Sequence, residues 1–598
     1  MDSLASLTEE QVDYIFSHVS APSYLEACPG SGKTEVIGWK AAYEFAKWKP
    51  RHAGIAITTF TNSAANELVQ RVKKHGGENC ISFPHFVGTF DSWLHSYVMQ
   101  PFAADIVGYL GKEGDKSFQI IDTGSYAPFL NAFTSVITYK GNNLPITAVE
   151  YYYDADKRIQ SIDADKQTIF DSLSVKDKKY LKETKIKFFK HGFCTYADAE
   201  TLVRIVMQKK PTLLALLAKR FPVILIDECQ DLSASQISIL EMIRSAGSAL
   251  HFIGDLNQSI YEFRKVDPLQ TKAYIHNLRC RNYQLTQNFR SCQPIVNIVQ
   301  SIIGHKNIIQ GRQEQMVDRP CVILPYTDKT FDQLPARYEE IIARYRLNPS
   351  KCAIIARGKT TLEGLQNGKE YFNLKIVELF ANALGYWFKE QRSTYDLHNA
   401  LLFLGRAFSF LIYGGRGNSR NYYCPEKIDH VQWRLCLSRF FNELAELYLF
   451  INGQHADNWT KWVARLKSLL EVCWKDLPNN NVQWDDAKNR LRSPIGRKEE
   501  LVKLSLTIPK KKEKIRATTI HNVKGETLEA VLLISHKDKK SPGGHFSHWL
   551  TRNNPEPEYL RFAYVACSRP KHLLVLAMNM QHEKDVKDFL DIGFQLYQ

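Results

Sequence analysis

The sequence predicts an α/β protein with two parallel β-sheets in tandem, each interrupted by a mainly helical insertion. The first observation is a set of short apolar runs followed by helical periodicity, the pattern of a parallel sheet built from βαβ units. These runs lie at residues 23–27, 54–59, 223–226 and 249–254. The second is another set of apolar runs, at residues 321–324, 352–356, 517–520, 531–535 and 573–578. The third is the length of 598 residues, which exceeds what one compact core holds.

Long segments with few strand signals separate the strands within each set. We expect them to fold as insertions, so that each α/β domain is assembled from two stretches of chain. The expected order is first domain, insertion, first domain, second domain, insertion and second domain, at residues 1–98, 99–205, 206–280, 281–369, 370–505 and 506–598.

The composition is that of a soluble globular protein with a basic surface. Hydrophobic residues make up 44% and charged residues 24% of the chain, which argues against disorder. The formal net charge of +15 favours a polyanionic partner, although solvated lysines alone would give the same charge. The basic run at residues 510–514 is interpreted as a charged loop rather than as a dedicated nucleic-acid patch.

The cysteines and the first residues indicate where the protein works. Twelve cysteines are scattered without a tight C-x-x-C pair, which favours neither a zinc ribbon nor a disulfide framework. Free thiols indicate a reducing compartment. The first ten residues are polar and acidic, unlike a signal peptide, and no apolar run is long enough to span a bilayer. We therefore expect a cytoplasmic protein without a membrane partner.

The strongest motif is Ala-Cys-Pro-Gly-Ser-Gly-Lys-Thr at residues 27–34, between a predicted strand and a predicted helix. Its glycines let backbone N–H groups curl around phosphate oxygens at a helix N-terminus. Lys33 is expected to reach the β- and γ-phosphates of a nucleotide, and Thr34 to hold Mg²⁺. The strict motif has glycine where Ala27 stands, a small departure. The predicted phosphate-binding residues are Gly30, Ser31, Gly32, Lys33 and Thr34.

A second motif places two carboxylates at the end of a predicted buried strand. Asp227 and Glu228 follow the apolar run at residues 223–226, at the sheet edge where ligands bind in such folds. We expect Asp227 to hold Mg²⁺ and Glu228 to act as the general base on the attacking water. A strand that ends in acidic turn residues would be the preferred interpretation without the phosphate-binding motif beside it.

Together with further motifs in the same order, these segments resemble the UvrD/Rep family of superfamily 1A DNA helicases. The matching segments are residue 11 and residues 59–62, 88–91, 253–264, 285–291, 519–525 and 564–569. The resemblance implies two RecA-like motor domains that bind ATP and Mg²⁺ between them and move along single-stranded DNA with 3′→5′ polarity. The residues alone do not distinguish DNA from RNA.

The resemblance also implies roles for single residues in the nucleotide site. Gln11 is similar to the family's adenine-recognising glutamine, and Phe289 is placed to stack on the adenine. Arg290 and Arg569 come from the second domain and would stabilise charge on the γ-phosphate in the transition state. Gln258 is similar to the glutamine that senses the γ-phosphate.

Strand contacts are expected from aromatic and polar side chains in the remaining motifs, since base stacking needs π-faces rather than base-edge contacts. The predicted set is Phe60, Thr61, Asn62, Thr89, Tyr261, Phe263, Arg264 and His521. Phe263 stands where the family usually has tryptophan. An aromatic residue at such a position is more often part of a core when no motif surrounds it.

The sequence departs from the family pattern in two places. After Lys524 and Gly525 the family has Leu-Glu-Phe, whose glutamate contacts the ribose, and here Glu526 is the candidate substitute. The second insertion is short and lacks the family's Gly-Ile-Pro-Tyr element. These departures keep two functions open. One is an ATP-driven translocase and helicase, and the other is an ATP-gated DNA sensor or regulatory subunit of a nuclease complex. Short members of mobile elements and phage-defence systems are an analogy only.

Overall fold

The computed structural model describes most of the chain. The described residues are 7–121, 128–154, 156–163, 166–260, 266–304, 308–366, 374–390, 392–412, 421–425, 428–451, 455–478, 482–494, 496–502, 515–538, 541–550, 557–579 and 583–597. They form two compact units, the first from residues 1–365 and 515–598 and the second from residues 366–514. The basic run at 510–514 lies outside the described residues.

The strands are short and lie almost wholly in the first unit. They are β1 Ser23–Ala27, β2 Ile55–Thr59, β3 Phe86–Thr89, β4 Gln119–Ile120, β5 Thr134–Tyr139, β6 Asn142–Thr147, β7 Tyr151–Tyr153, β8 Ile159–Ser161, β9 Phe193–Cys194, β10 Val223–Asp227, β11 Ala249–Gly254, β12 Arg281–Leu285, β13 Gln287–Asn288, β14 Gln310–Gly311, β15 Cys321–Tyr326, β16 Cys352–Ala356, β17 Arg516–Thr519, β18 Leu528–Ser535, β19 Pro570–Asn579 and β20 Gln595–Leu596.

The helices alternate with these strands and also build the second unit. They are α1 Glu9–Ile15, α2 Lys33–Lys47, α3 Asn62–Gly76, α4 Phe90–Leu94, α5 Gln100–Val107, α6 Gln167–Asp171, α7 Val175–Lys190, α8 Tyr196–Lys209, α9 Pro211–Arg220, α10 Ala234–Ser245, α11 Pro268–Asn277, α12 Gln293–Ile303, α13 Leu334–Arg344, α14 Lys359–Gln366, α15 Ile376–Trp387, α16 Thr394–Leu411, α17 His430–Glu443, α18 Trp459–Cys473, α19 Trp484–Lys488, α20 Pro557–Cys567 and α21 Glu583–Asp591.

Two six-stranded parallel sheets organise the first unit. Their strand orders are β12-β1-β11-β10-β2-β3 and β17-β16-β18-β19-β15-β20. Each of the nine predicted apolar runs lies in a strand of these two sheets, with at most one residue beyond an end of the strand. The prediction of a mixed α/β protein with two parallel sheets is therefore confirmed.

The central strands are apolar on both faces because helices cover both sides of each sheet. In β10, Val223 and Leu225 enter one core cluster, while Ile224 and Ile226 enter the cluster on the opposite face. The second sheet repeats this arrangement in β18 and β19. Burial on both faces explains why these strands are continuous apolar runs and not alternating patterns.

The first insertion contains helices α5 to α8, as expected for a mainly helical segment, but also short strands that the prediction did not include. It contains an antiparallel hairpin of β5 and β6, a second antiparallel pair of β7 and β8, and a parallel pair of β4 and β9. The hairpin turns at Lys140 and Gly141, both with positive φ (50° and 81°), which is the geometry that two-residue hairpins favour. The β-branched residues of β5 were the available strand signal.

The second unit is helical in its described part and has its own core. Helices α15 to α19 pack around the large side chains of Trp433, Trp459 and Trp462, which are fully buried. Across both units, none of the helices in the described part of the chain combines the length and apolar character needed to cross a bilayer.

Candidate functional site

The phosphate-binding motif forms the turn between β1 and α2. Gly30 and Gly32 both have left-handed backbone, with φ of 75° and 78°, and Gly32 is the N-cap residue of α2, where it offers no capping side chain. The first N–H groups of α2 are therefore left for a ligand, as expected at an anion-binding helix N-terminus. A Cβ on Gly30 would lie 2.6 Å from Cβ of Arg290 and 2.7 Å from Oδ1 of Asn288. Glycine is required here because the chain entering the second sheet passes directly over the turn.

Lys33, the first residue of α2, contacts both predicted carboxylates. Its Nζ lies 3.1 Å from Oδ1 of Asp227 and also forms an ion pair with Glu228. Burial alone would lower the pKa of Lys33, but the two carboxylates outweigh burial and raise it. Burial raises the pKa of Asp227, although Lys33 opposes this. Burial would also raise the pKa of Glu228, but Lys33 and Lys524 outweigh it and lower the pKa.

The backbone turns sharply at Glu228, directly after the end of β10. Glu228 has φ of 57° and ψ of 38°, a left-handed conformation that is uncommon for a residue with a Cβ. Its side chain accepts a hydrogen bond from Nε2 of Gln230, and Oε1 of Gln230 accepts from the N–H of Asp255 at 3.2 Å. The acidic strand end of β10 is thereby connected to the end of β11.

Gln258, just beyond β11, meets residues of the second sheet. Its Nε2 donates to Oδ2 of Asp255 at 2.9 Å, and its Oε1 accepts from Nη2 of Arg569 at 3.1 Å. The hydroxyl of Tyr564 also donates to Oδ2 of Asp255, at 2.8 Å. Two side chains of α20 and the residues after it therefore bond to one short segment of the first sheet.

The two predicted arginines lie near each other and are both desolvated. Arg569 is 1% exposed, and burial, assisted by Arg290, lowers its pKa to about 9. Burial lowers the pKa of Arg290 to about 10, and its guanidinium donates to Oγ1 of Thr527 (2.9 Å) and to the carbonyl of Ser568 (3.0 Å). Both remain charged near neutral pH. A pair of poorly solvated cations favours an anion beside them.

The structure adds an ion pair across the two sheets that the sequence did not indicate. Nζ of Lys524 lies 2.7 and 2.9 Å from the carboxylate oxygens of Asp231, and both side chains are about one tenth exposed. Burial raises the pKa of Asp231 to about 6, although Lys524 opposes this. The two residues are 293 positions apart. Lys524 lies in the motif at residues 519–525, but no local pattern pairs it with Asp231.

The other predicted nucleotide residues occupy different surroundings. Gln11 is buried, and its Nε2 donates to the carbonyl of Ser31 at 3.1 Å, which places it against the phosphate-binding turn. Phe289 is 41% exposed, and its N–H donates to the carbonyl of Gly30 at 2.9 Å. Glu526 forms an ion pair with Arg516. Thr34 lies in the first turn of α2, on the same element as Lys33.

The described strand-contacting candidates mostly make local contacts. Thr61 and Thr89 are N-caps whose side chains accept from the N–H of Ala64 and Ser92, each at 3.1 Å. Phe60 packs against the core of the first sheet, with its ring centroid 6.3 Å from that of Phe90. Asn62 is exposed at the start of α3.

His521 lies apart from these residues, at the interface of the two sheets. Its Nε2 is 3.0 Å from the carbonyl of Ile260. The predicted strand contacts Tyr261, Phe263 and Arg264 lie outside the described residues.

Residues 7–277 match the family model of the UvrD/REP helicase N-terminal domain. The chain is 27% identical over 292 residues to a probable DNA helicase II homolog of Mycoplasma pneumoniae, a match that covers 46% of this chain and 39% of that protein. It is 25% identical over 293 residues to DNA helicase II of Haemophilus influenzae, covering 47% of this chain and 38% of that protein. It is 24% identical over 307 residues to the ATP-dependent DNA helicase PcrA of Leuconostoc citreum, covering 48% of this chain and 37% of that protein.

These matches span about two fifths of the length of the three relatives. The family match covers the first sheet except β12, and with it the phosphate-binding turn and the carboxylates of β10. The resemblance that the motifs indicated is therefore confirmed over residues 7–277, which are similar to the UvrD/REP helicase N-terminal domain.

Proposed function

We propose that the protein is an ATP-driven motor that moves along single-stranded DNA and separates duplexes. One observation supports this proposal more strongly than the others do. Arg569 belongs to the second sheet's half of the unit and is hydrogen-bonded to Gln258 of the first, in the same cleft as Lys33 and Glu228. A nucleotide at the turn before α2 would meet cations from both halves, so that hydrolysis changes how the halves are held together.

Each parallel sheet would form a RecA-like motor domain. Insertions near residues 99–205 and 370–505 would interrupt the first and the second motor domain. The chemistry of the donor set fits Mg²⁺, because the Asp227 carboxylate and the Thr34 hydroxyl are hard oxygen ligands. When bound, this ion would neutralise charge on the β- and γ-phosphates. Asp227 and Thr34 would hold it, while Gly30, Ser31 and Gly32 shape the backbone around the phosphates.

Binding must rearrange the contacts of Lys33. In the structure this lysine is neutralised by Asp227 and Glu228. Transfer of Nζ to the phosphates would release Glu228 to accept a proton from water, and Lys524, which also lowers the pKa of Glu228, would still favour its ionised form. Arg290 and Arg569 would then stabilise the charge that develops on the γ-phosphate. Gln258 would transmit the presence of the γ-phosphate to the segment that follows Gln258 in the chain.

The nucleic acid is inferred from the relatives, whose printed names describe DNA helicases. The net charge of +15 suits a polyanionic track. Translocation from 3′ to 5′ follows from the family resemblance alone. The analogy with phage defence, and with it a nuclease partner, stays a prediction without support from the relatives named here.

The test is ATP turnover with and without a poly-thymidine strand at two salt concentrations, together with unwinding of duplexes tailed at either the 3′ or the 5′ end. We expect strong stimulation by the strand, loss of stimulation at high salt, and unwinding from the 3′ tail only. Strand-independent turnover would contradict the motor assignment. Stimulated turnover without unwinding of either duplex would contradict the helicase and favour the ATP-gated sensor.

A further inference from the structure

The chain passes from the first sheet to the second through a junction at Thr286. The preceding strand, β12, is an edge strand of the first sheet and pairs with β1. The following strand, β13, pairs with β14 instead, and α12 behind it packs in the core of the second sheet. Thr286 is the single residue between these two environments. Its position relative to the phosphate-binding turn therefore affects where the next residues lie.

Glu10 of α1 binds the junction residue directly. Its Oε2 accepts the N–H of Thr286 at 2.8 Å, and its Oε1 accepts the hydroxyl of Thr286 at 2.5 Å. One carboxylate thus satisfies both donors of the junction residue. Charge-assisted hydrogen bonds of this kind are shorter and stronger than neutral ones, so the contact can fix geometry rather than merely fill space.

Helix α1 is itself fixed to the nucleotide site at both ends. At its start, Gln11 donates from Nε2 to the carbonyl of Ser31 at 3.1 Å. At its end, Nζ of the fully buried Lys40 donates to the carbonyls of Tyr14 (3.0 Å) and Ser17 (2.8 Å). Lys40 belongs to α2, the helix that begins at the phosphate-binding turn. Movement of α1 is therefore coupled to the turn, and through Glu10 to Thr286.

Beyond the junction, the chain returns to the same turn. The N–H of Phe289 donates to the carbonyl of Gly30 at 2.9 Å, and Arg290 follows. The N–H groups of Arg290 and Ser291 both donate to Oδ1 of Asn288, at 2.8 and 2.9 Å, which stiffens the segment after Thr286. A short, braced segment thus connects the residue that Glu10 holds to the arginine that faces the cleft.

We propose that Glu10 is a positioning residue that links recognition of the adenine base to the placement of Arg290. The inference rests on the proposed function, because it needs Gln11 to contact the base and Arg290 to act on the γ-phosphate. A base that engages Gln11 fixes α1, and Glu10 passes this constraint to Thr286 and so to Arg290. When Glu10 is lost, the arginine no longer responds to the identity of the base.

The experiment compares kcat and KM for ATP and UTP in the full-length protein, with melting temperature measured on each variant. We expect Glu10→Ala to lower kcat for ATP about tenfold, since small misplacement of a catalytic group carries costs of this order. The kcat for UTP, which lacks the purine, should stay within about twofold of wild type. Glu10→Gln keeps an acceptor for the N–H of Thr286 and should recover most of the loss. Glu9→Ala is the matched control, because Glu9 is exposed on the same turn of α1.

Equal losses for ATP and UTP would overturn the inference and leave Glu10 a purely structural role. Equal kcat for the two nucleotides in the wild-type protein would overturn it as well. Should Glu10→Ala fail to fold, Thr286→Val removes the hydroxyl donor and keeps the N–H, and an unchanged ratio of ATP to UTP turnover in that variant would overturn the inference. A wild-type protein that hydrolyses neither nucleotide would instead contradict the proposed function.

Discussion

In the nucleotide cleft, polar side chains of one sheet bond to partners of the other, whereas two threonines of the strand-contacting set bond to the helices that they cap. Gln258 with Arg569, and Asp231 with Lys524, join segments that are 311 and 293 residues apart. Thr61 and Thr89 instead cap α3 and α4, each through an N–H three residues ahead.

The difference shows how far geometry alone supports each assignment. Local sequence does not account for contacts between distant segments, and Arg569 and Lys524 both interact electrostatically with Glu228, an arrangement that suits a shared anionic ligand. A threonine that caps a helix already has a structural reason to be there. The nucleotide roles therefore rest on the arrangement of the cleft, while the strand roles rest on motif position.

The largest effect is expected from the centre of the cleft. Glu228→Gln should lower kcat by about 10²–10⁴-fold, because the amide keeps the shape of the base but cannot accept the proton. Lys33→Ala should abolish turnover by removing the phosphate cation. Measure ATP turnover and the Kd for ATP in both variants.

Glu35→Gln is the control for this pair, since Glu35 lies two residues beyond Lys33 and pairs with Arg71 and Lys74 of α3. Its turnover should stay close to wild type. Wild-type turnover in Glu228→Gln would show that the general base has been assigned to the wrong residue.

A smaller effect is expected where the two halves of the cleft come closest. Gly30→Ala should lower kcat about 10–100-fold, because the new Cβ would displace Arg290 and Asn288. Gly108→Ala is the matched control: Gly108 has φ of 73° against 75° for Gly30, but nothing lies within 4 Å of its Cβ position. Both variants carry the strain of a left-handed alanine, about 1 kcal/mol. Compare kcat and urea unfolding for the two; similar kcat values would mean that the close approach has no part in turnover.

The smallest effect is expected in the strand-contacting set. The variants there distinguish helix capping by a threonine from its contact with the strand. Thr61→Ala and Thr89→Ala should each lower the free energy of unfolding by about 1 kcal/mol, the usual value of an N-cap. Thr→Ser at either position keeps the cap and should restore stability. Urea unfolding and strand-stimulated ATP turnover should be measured on the same preparations.

Serine variants that are stable yet lose stimulation of ATP turnover by DNA would show that the threonine methyl group contacts the strand. If the alanine variants keep full stability, the capping assignment is wrong.

Local sequence signals predicted the parts of the molecule that local forces determine. The glycines of the phosphate-binding turn are required by positive φ, and β10 is an apolar run because both of its faces are buried. The edge strand β12 escaped prediction: it has the sequence Arg-Asn-Tyr-Gln-Leu and is largely exposed, so no apolar run marks it. The hairpin of β5 and β6 escaped because its insertion was interpreted as helical.

Side-chain partners across the cleft could not be predicted, because they depend on how two sheets pack. The candidate ribose contact Glu526 pairs with Arg516, while its neighbour Thr527 meets Arg290. Nothing in the order Lys-Gly-Glu-Thr indicates which side chain would face which partner. The contact between Glu10 and Thr286 likewise joins residues 276 positions apart.

The most direct test of a two-sided ATP site is the effect of Arg569→Ala on Kd and kcat for ATP, measured on one preparation of confirmed stability. Arg569 is far from the phosphate-binding turn in sequence and acts on charge that develops during the reaction. We expect kcat to fall by about 10³-fold or more while Kd rises less than tenfold. Arg319→Ala, at an exposed arginine before β15, should change neither. Equal losses of affinity and turnover, or no loss of turnover, would contradict the account.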